Sequence, residues 1–291
     1  MTDDTVGRIV SARVANPGAI AEAAAARGRR TQLTGASGRL FLIAADHPAR
    51  GSLRAGADPM AMADRAELLR RVRTALSRPG VDGFLGTPDL VEDLLLTGAL
   101  EGKIVIGSMN RGGLTGTVFE IDDRFTGYDA AAIAAAGLDG GKMLCRIDPG
   151  DPATAATLQS CAQAVSELAA RGLMAMVEPF ICHRADGRVR NNLSADAVVR
   201  SAAVAAGLGT TSAYTWLKLP VVEDMARVAA ATSLPILLLG GEATADDSAV
   251  TARWRTALKL PTVRGMVIGR ALLYPPGGDV ASVVDRTVGL L

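Results

Sequence analysis

The stretch YTWLKLP (214–220) is short and mostly apolar and stops at a proline, yet it holds a lysine near its end. A run of this length without polar alternation reads as a strand buried on both faces. Downstream, VEDMARVAAAT (222–232) has helical spacing, and LPILLLGG (234–241) is a second apolar run. Strand, helix, strand in that order is one unit of a parallel sheet. The unit recurs. RLFLIAAD (39–46), VDGFLGT (81–87), KIVIGS (103–108), GGKMLCR (140–146), LMAMVEP (173–179) and GMVIGR (265–270) bring the apolar runs to eight. Helical patterns separate them, such as AELLRRVRTAL (66–76), TAATLQSCAQAVSELAARG (154–172) and SADAVVRSAAVAA (194–206). Ser194 with Asp196 marks a helix start, and Gly172 marks a helix end. The expected fold is α/β, a single (β/α)8 TIM barrel over residues 39–291, with a doubly wound open sheet as the alternative. Residues 1–38, alanine-rich and then polar (TGASG, 34–38), are expected to form a helical N-terminal extension packed on the barrel.

Bulk composition agrees with one large core. Of 291 residues, 49% are hydrophobic, and the net charge is +1 with Lys and Arg spread along the chain. No basic stripe points to nucleic acid. No apolar run reaches membrane-spanning length. Three scattered cysteines and an acidic start without a secretory pattern make a reducing cytoplasm the expected compartment. The cysteines and Trp216 are expected to pack in the core. His183, in ICHRADGR (181–188), reads as a surface histidine on a loop. With two histidines, no ligand-spaced motif and no nucleotide-binding glycine pattern in context, neither metal nor cofactor is expected.

In such barrels the C-terminal strand ends line the active site. Read in order, they carry Asp46, His47 and Arg50, then Lys142 and Arg146, then Glu178, Lys218, Gly240 and Gly241, and last Gly269 and Arg270. A lysine in a buried run, with a second lysine facing the same cavity, is a candidate amine nucleophile for a carbonyl. Glu178 and Asp46 would supply proton transfer and charge balance. The glycines after the seventh and eighth strands, with Arg270, fit a phosphate turn. SMNRGGLTGTVFEIDDRFTGYD (108–129) has no regular period and is long enough for a lid or a site wall.

These residues also carry a family likeness. DHPARGSL (46–53), FTGYDA (125–130), GGKMLCRIDPGD (140–151) and AMVEPF (175–180) resemble segments of class I tagatose-bisphosphate aldolases of the LacD type. WLKLPV (216–221) resembles the Schiff-base strand of the wider group, which includes archaeal-type class I fructose-bisphosphate aldolases and deoxyribose-phosphate aldolase. LLLGGEAT and VIGRALLYP resemble its phosphate-binding turns. The matches run in order from about 46 to 275. The resemblance implies that Lys218 forms the imine, that Glu178 is the acid/base, and that Lys142 and Asp46 tune and position. It implies that Arg50, Gly241, Gly269 and Arg270 bind the anion. It also implies a phosphorylated sugar substrate and a homo-oligomer. Three departures stand out: the insertion His47–Ala49, Leu239 where a serine is common, and Phe180 where some relatives have tyrosine.

The expected activity is class I aldolase chemistry on a phosphorylated ketose or keto-deoxy sugar acid. A phosphosugar isomerase or epimerase, and a non-catalytic barrel that binds a sugar phosphate, are the alternatives.

Overall fold

The lysine-bearing run is one stave of a closed barrel. The structure is a computed structural model, and it describes residues 4–35, 37–240 and 247–291. Its strands are β1 (Leu40–Ala44), β2 (Gly83–Gly86), β3 (Ile104–Ser108), β4 (Gly140–Ile147), β5 (Met174–Ala185), β6 (Arg188–Asn191), β7 (Thr215–Pro220), β8 (Ile236–Leu239) and β9 (Val263–Ile268). All but β6 pair in parallel around the ring in the order β1-β2-β3-β4-β5-β7-β8-β9, and β9 pairs back onto β1. That closure excludes the open sheet.

Side-chain alternation explains both the apolar runs and the lysine. Leu40, Leu42, Ala44, Ile104, Ile106, Met174, Met176, Leu237 and Val267 point inward and form the barrel interior, with Trp216 and Leu33 packed against it. The residues between them, such as Phe41, Ile43, Val105, Val177, Leu217 and Leu219, pack outward against the helices. Each strand is therefore covered on both faces. Two steps further along the same inward files come Asp46 after Ala44, Glu178 after Met176 and Lys218 after Trp216. The barrel is apolar below and charged above.

The helices are α1 (Thr5–Ala15), α2 (Ala19–Ala26), α3 (Arg65–Leu76), α4 (Pro88–Leu96), α5 (Ala130–Ala135), α6 (Ala153–Ala169), α7 (Ala195–Ala206), α8 (Met225–Ala230), α9 (Asp247–Ala257), α10 (Arg270–Leu273) and α11 (Val280–Val288). Ser194 caps α7 by accepting from the Ala197 N–H at 3.3 Å. None of the described helices is long and apolar enough to cross a membrane. Helices α1 and α2 pack on α3 and α4. Beyond α2, Arg27 donates to the carbonyls of Lys103 and Gly137, both at 2.7 Å, and Arg30 pairs with Asp82 at 2.6 Å. The N-terminal segment thus seals the lower mouth and leaves the C-terminal mouth open.

One expectation is corrected. ICHRADGR is not a loop: β5 runs on to Ala185, turns at Asp186 (φ 51°) and Gly187 (φ 73°), and returns as antiparallel β6. Two consecutive positive φ angles make this the Asp-Gly hairpin turn whose twist suits two strands. His183 is exposed, but it lies on this hairpin.

Gly265 sits opposite Leu40 with φ 143°, and a Cβ there would lie 1.9 Å from the Leu40 carbonyl oxygen. Gly265→Ala therefore drives backbone against backbone at the β1–β9 closure. We expect it to cost about 3 kcal/mol or more, read as a lowered denaturant midpoint.

Candidate active site

Three strands meet on one carboxylate. Glu178 stands on β5, between β4 and β7. Its Oε1 lies 3.0 Å from the Lys218 ammonium, and its Oε2 is in contact with the Lys142 ammonium. Lys142 also reaches Asp46 Oδ2 at 3.2 Å. Asp46 in turn accepts from Ser108 Oγ at 3.1 Å and pairs with Arg111 at 2.7 Å, while Arg111 also donates to the Asp46 carbonyl at 2.8 Å. All six side chains are buried. The four residues singled out as catalytic in the sequence are thus brought together. Arg111 and Ser108, in or beside the aperiodic segment, were not anticipated individually.

Burial and charge work against each other here. Burial alone would push the Glu178 carboxyl up, but Lys142 and Lys218 outweigh it and hold it down at about 2. Asp46 likewise resists burial and is held well below the usual carboxylate range by Arg111 and Lys142. Burial is the largest influence on Lys142, and it lowers the ammonium to about 8 against the opposing pull of Asp46 and Glu178. His47 is pushed down to about 3, chiefly by burial, so it is neutral at ordinary pH. Its Nδ1 is buried without a hydrogen-bond partner among the described residues, 3.9 Å from Asp46. With Arg111 counted, three cations surround two anions. Release of one lysine proton balances the cluster.

The segment 108–129 is an ordered wall. Asn110 pairs with Leu144 as a strand would: its Nδ2 donates to the Leu144 carbonyl at 2.6 Å, and its Oδ1 accepts from the Leu144 N–H at 2.8 Å. Arg50, expected as an anion ligand, lines the cavity at the open mouth and also braces the wall. The insertion folds into a 3-10 turn, Pro48–Arg50. That turn aims the guanidinium at the wall, where it donates to the carbonyls of Gly113 at 2.9 Å and Asn110 at 2.6 Å and pairs with Asp123. Arg146, two inward positions above Lys142, pairs with Glu120 at 2.9 Å.

The open mouth is a cavity of about 610 Å³ lined by Asp46, His47, Lys142, Glu178 and Lys218 together with Gly240, Gly269 and Arg270. Leu239 and Phe180, two of the departures from the family pattern, line it as well. Gly269 has no room for a side chain: a Cβ would lie 2.5 Å from the Ala44 carbonyl oxygen. Gly241 lies outside the described residues. Among the described residues, no group of three His, Cys, Asp or Glu could hold a metal ion.

The acid limb of stability tests the ion cluster. Glu178 has a folded value of about 2 against an ordinary 4.5. Its contribution is therefore present above the ordinary value and is lost as pH falls through the folded one. Unfolding free energies measured from pH 7 to 2 should fall along this limb in the wild type. The fall should be shallower in Glu178→Gln.

Comparison with known proteins places the chain. A crystal structure of Cgl0159 from Corynebacterium glutamicum (Brevibacterium flavum) matches with a TM-score of 0.96 at 51% identity, over 100% of this chain and 97% of that one. A Schiff-base-forming fructose-1,6-bisphosphate aldolase matches with a TM-score of 0.66 at 17% identity, over 93% of this chain and 99% of that one. An archaeal fructose 1,6-bisphosphate aldolase gives 0.66 at 18%, over 93% and 98%. At these identities the two aldolases share the barrel with this chain. The likeness to the LacD type rests on the motifs alone. No curated protein matches. The Cgl0159-like family model matches residues 38–288, and the chain belongs to that family.

Proposed function

We propose that the protein is a class I aldolase, a lyase that cleaves or forms a carbon–carbon bond of a phosphorylated ketose or keto-deoxy sugar acid through an imine on Lys218. The observation that carries this reading is the pair of buried lysines on one carboxylate at the open end of the barrel, with Lys218 3.0 Å from Glu178. The fold shared with Schiff-base-forming aldolases supports it.

In this reading, neutral Lys218 adds its nitrogen lone pair to the substrate ketone. The resulting carbinolamine loses water and becomes an iminium ion. The hydroxyl on the far carbon of the bond to be broken gives its proton to Glu178, directly or through water. That oxygen closes to an aldehyde, the carbon–carbon bond breaks, and its electron pair moves into the iminium to give an enamine. Protonation of the enamine carbon and addition of water then release the three-carbon ketone and regenerate the amine. Glu178 is a feeble base while two ammoniums flank it. It gains basicity as the lysine pair loses a proton. Backbone N–H groups of the turns after β8 and β9, with Arg270, would hold the phosphate away from the reacting bond, so that binding energy orients that bond.

Two measurements test the reading. Incubation with dihydroxyacetone phosphate followed by borohydride reduction should leave a stable secondary amine on Lys218, located by peptide mass spectrometry. A ketone phosphate that binds but leaves no adduct refutes the imine. Lys218→Met should abolish turnover; an isomerase would retain part of its activity. The second measurement is the pH profile. Because Lys142 is set at about 8 and shares Glu178 with Lys218, kcat/KM should rise with pH through about 8.

A further inference from the structure

A second concavity opens beside the first. It has a volume of about 520 Å³, and Arg54, Arg188, Arg190 and Arg270 line it together with a single acid, Glu120. The two cavities are continuous: Ser52, Thr115, Glu120, Val189, Arg190 and Arg270 line both. Arg270 stands at the junction, donating to the Arg54 carbonyl at 3.2 Å.

Among the described residues, the charges of Arg54, Arg188 and Arg190 are not cancelled. Both oxygens of Glu120 are engaged, one by Arg146 at 2.9 Å and the other by the Gly116 N–H at 2.8 Å. Arg54 donates to the Ala57 carbonyl at 3.4 Å. Among the described residues, Arg54, Arg188 and Arg190 form no ion pair. Arg188 and Arg190 project from the same face of β6, two residues apart. Their cross-strand partners are Ala185 and His183, and neither supplies an anion. Like charges held this close repel, and a ribbon does not gather them for its own stability.

The ribbon is nonetheless held in position. Arg184, next to these pairs on β5, donates to the Val118 carbonyl at 2.6 Å and pairs with Asp151 at 3.1 Å. That strut fixes the hairpin against the wall segment. The annex is therefore a cluster of guanidiniums on a ribbon whose backbone is held in place, and the guanidinium is the group that matches an oxyanion.

We propose that this annex binds a second anionic group of the substrate, a carboxylate or a phosphate, beside the mouth that holds Lys218. The reacting carbonyl of the same substrate then lies in the adjoining mouth, at Lys218. The position of the carbonyl rests on the aldolase reading; the anion site does not.

The test separates the two. Inorganic phosphate and malonate are titrated by calorimetry into the full chain and into the Arg188→Gln/Arg190→Gln double variant. Both positions are exposed on the hairpin, so the variant should fold, as an unchanged melting temperature will show. At least one anion should bind about tenfold or more weakly to the variant. Loss of phosphate alone identifies a phosphate, loss of malonate alone identifies a carboxylate, and unchanged affinity for both overturns the annex. Turnover gives a second readout, with dihydroxyacetone phosphate as donor. The wild type should prefer 3-oxopropanoate or glyceraldehyde 3-phosphate over uncharged glyceraldehyde. The variant should lose about tenfold or more of that kcat/KM ratio, and an unchanged ratio counts against the annex. A chain that shows the binding difference but traps no imine keeps the annex and loses the aldolase reading. A chain that traps the imine but ignores both substitutions does the reverse.

Discussion

The open end of the barrel depends on one carboxylate shared by two ammoniums. Burying a lone ion removes its hydration and costs several kcal/mol even after relaxation. Glu178 avoids that isolation because its strand lies between the two that carry the lysines. The register pairs Leu144 with Glu178 and Met176 with Lys142, so Lys142 sits one inward level below the glutamate. On the other side Val177 pairs with Leu217, which brings Lys218 level with Glu178 one step further on. The stagger of a closed barrel thus sets two amines around one acid from different heights. Asp46 extends the network to β1 and Arg111 extends it to the wall.

The wall segment, which looks patternless as a sequence, follows a rule of charge. It contributes Arg111, Glu120 and Asp123, and each meets an opposite charge on the barrel rim: Asp46, Arg146 and Arg50, in that order. Each of these pairs is buried. Removing one partner would strand the other, so the segment is held in one conformation rather than merely covering the mouth. Asn110 adds a strand-like pair of hydrogen bonds to the edge of β4, and Thr157 of α6 donates to the Ile121 carbonyl at 2.7 Å. An aperiodic segment of this length is held in place because its buried charges meet partners distant in sequence.

This contrast explains what the sequence made legible. Strands buried on both faces leave continuous apolar runs, and a polar residue at the end of such a run is conspicuous. Lys218, Glu178, Lys142 and Asp46 could therefore be read directly, and the barrel with them. Arg111 and Asp123 could not, because a charged residue in a polar segment carries no local sign of its partner. The bonds from Arg50 to Gly113, Asn110 and Asp123 were hidden for the same reason, because those partners lie far away in sequence. The β5–β6 hairpin did have a local sign, the Asp-Gly pair at 186–187 flanked by apolar and β-branched residues, but the arginines around it masked the strand pattern.

The two lysines are not equivalent, and their surroundings say which is suited to attack. Lys142 is enclosed by Asp46 on one side and Glu178 on the other, deep in the interior. Two carboxylates fix its position. Lys218 has Glu178 as its ion-pair partner among the described residues, and it sits at the level where the cavity opens. In the proposed reaction, Lys142 tunes the charge on Glu178 and Lys218 is the nucleophile. Glu178 touches both, so a proton given up by one lysine is felt by the other without passing through solvent. When Lys218 carries the iminium, its charge still faces Glu178, and the electrostatic balance of the cluster survives the covalent step. A site built this way needs little rearrangement between free amine and imine, which is what preorganised charge contributes to catalysis.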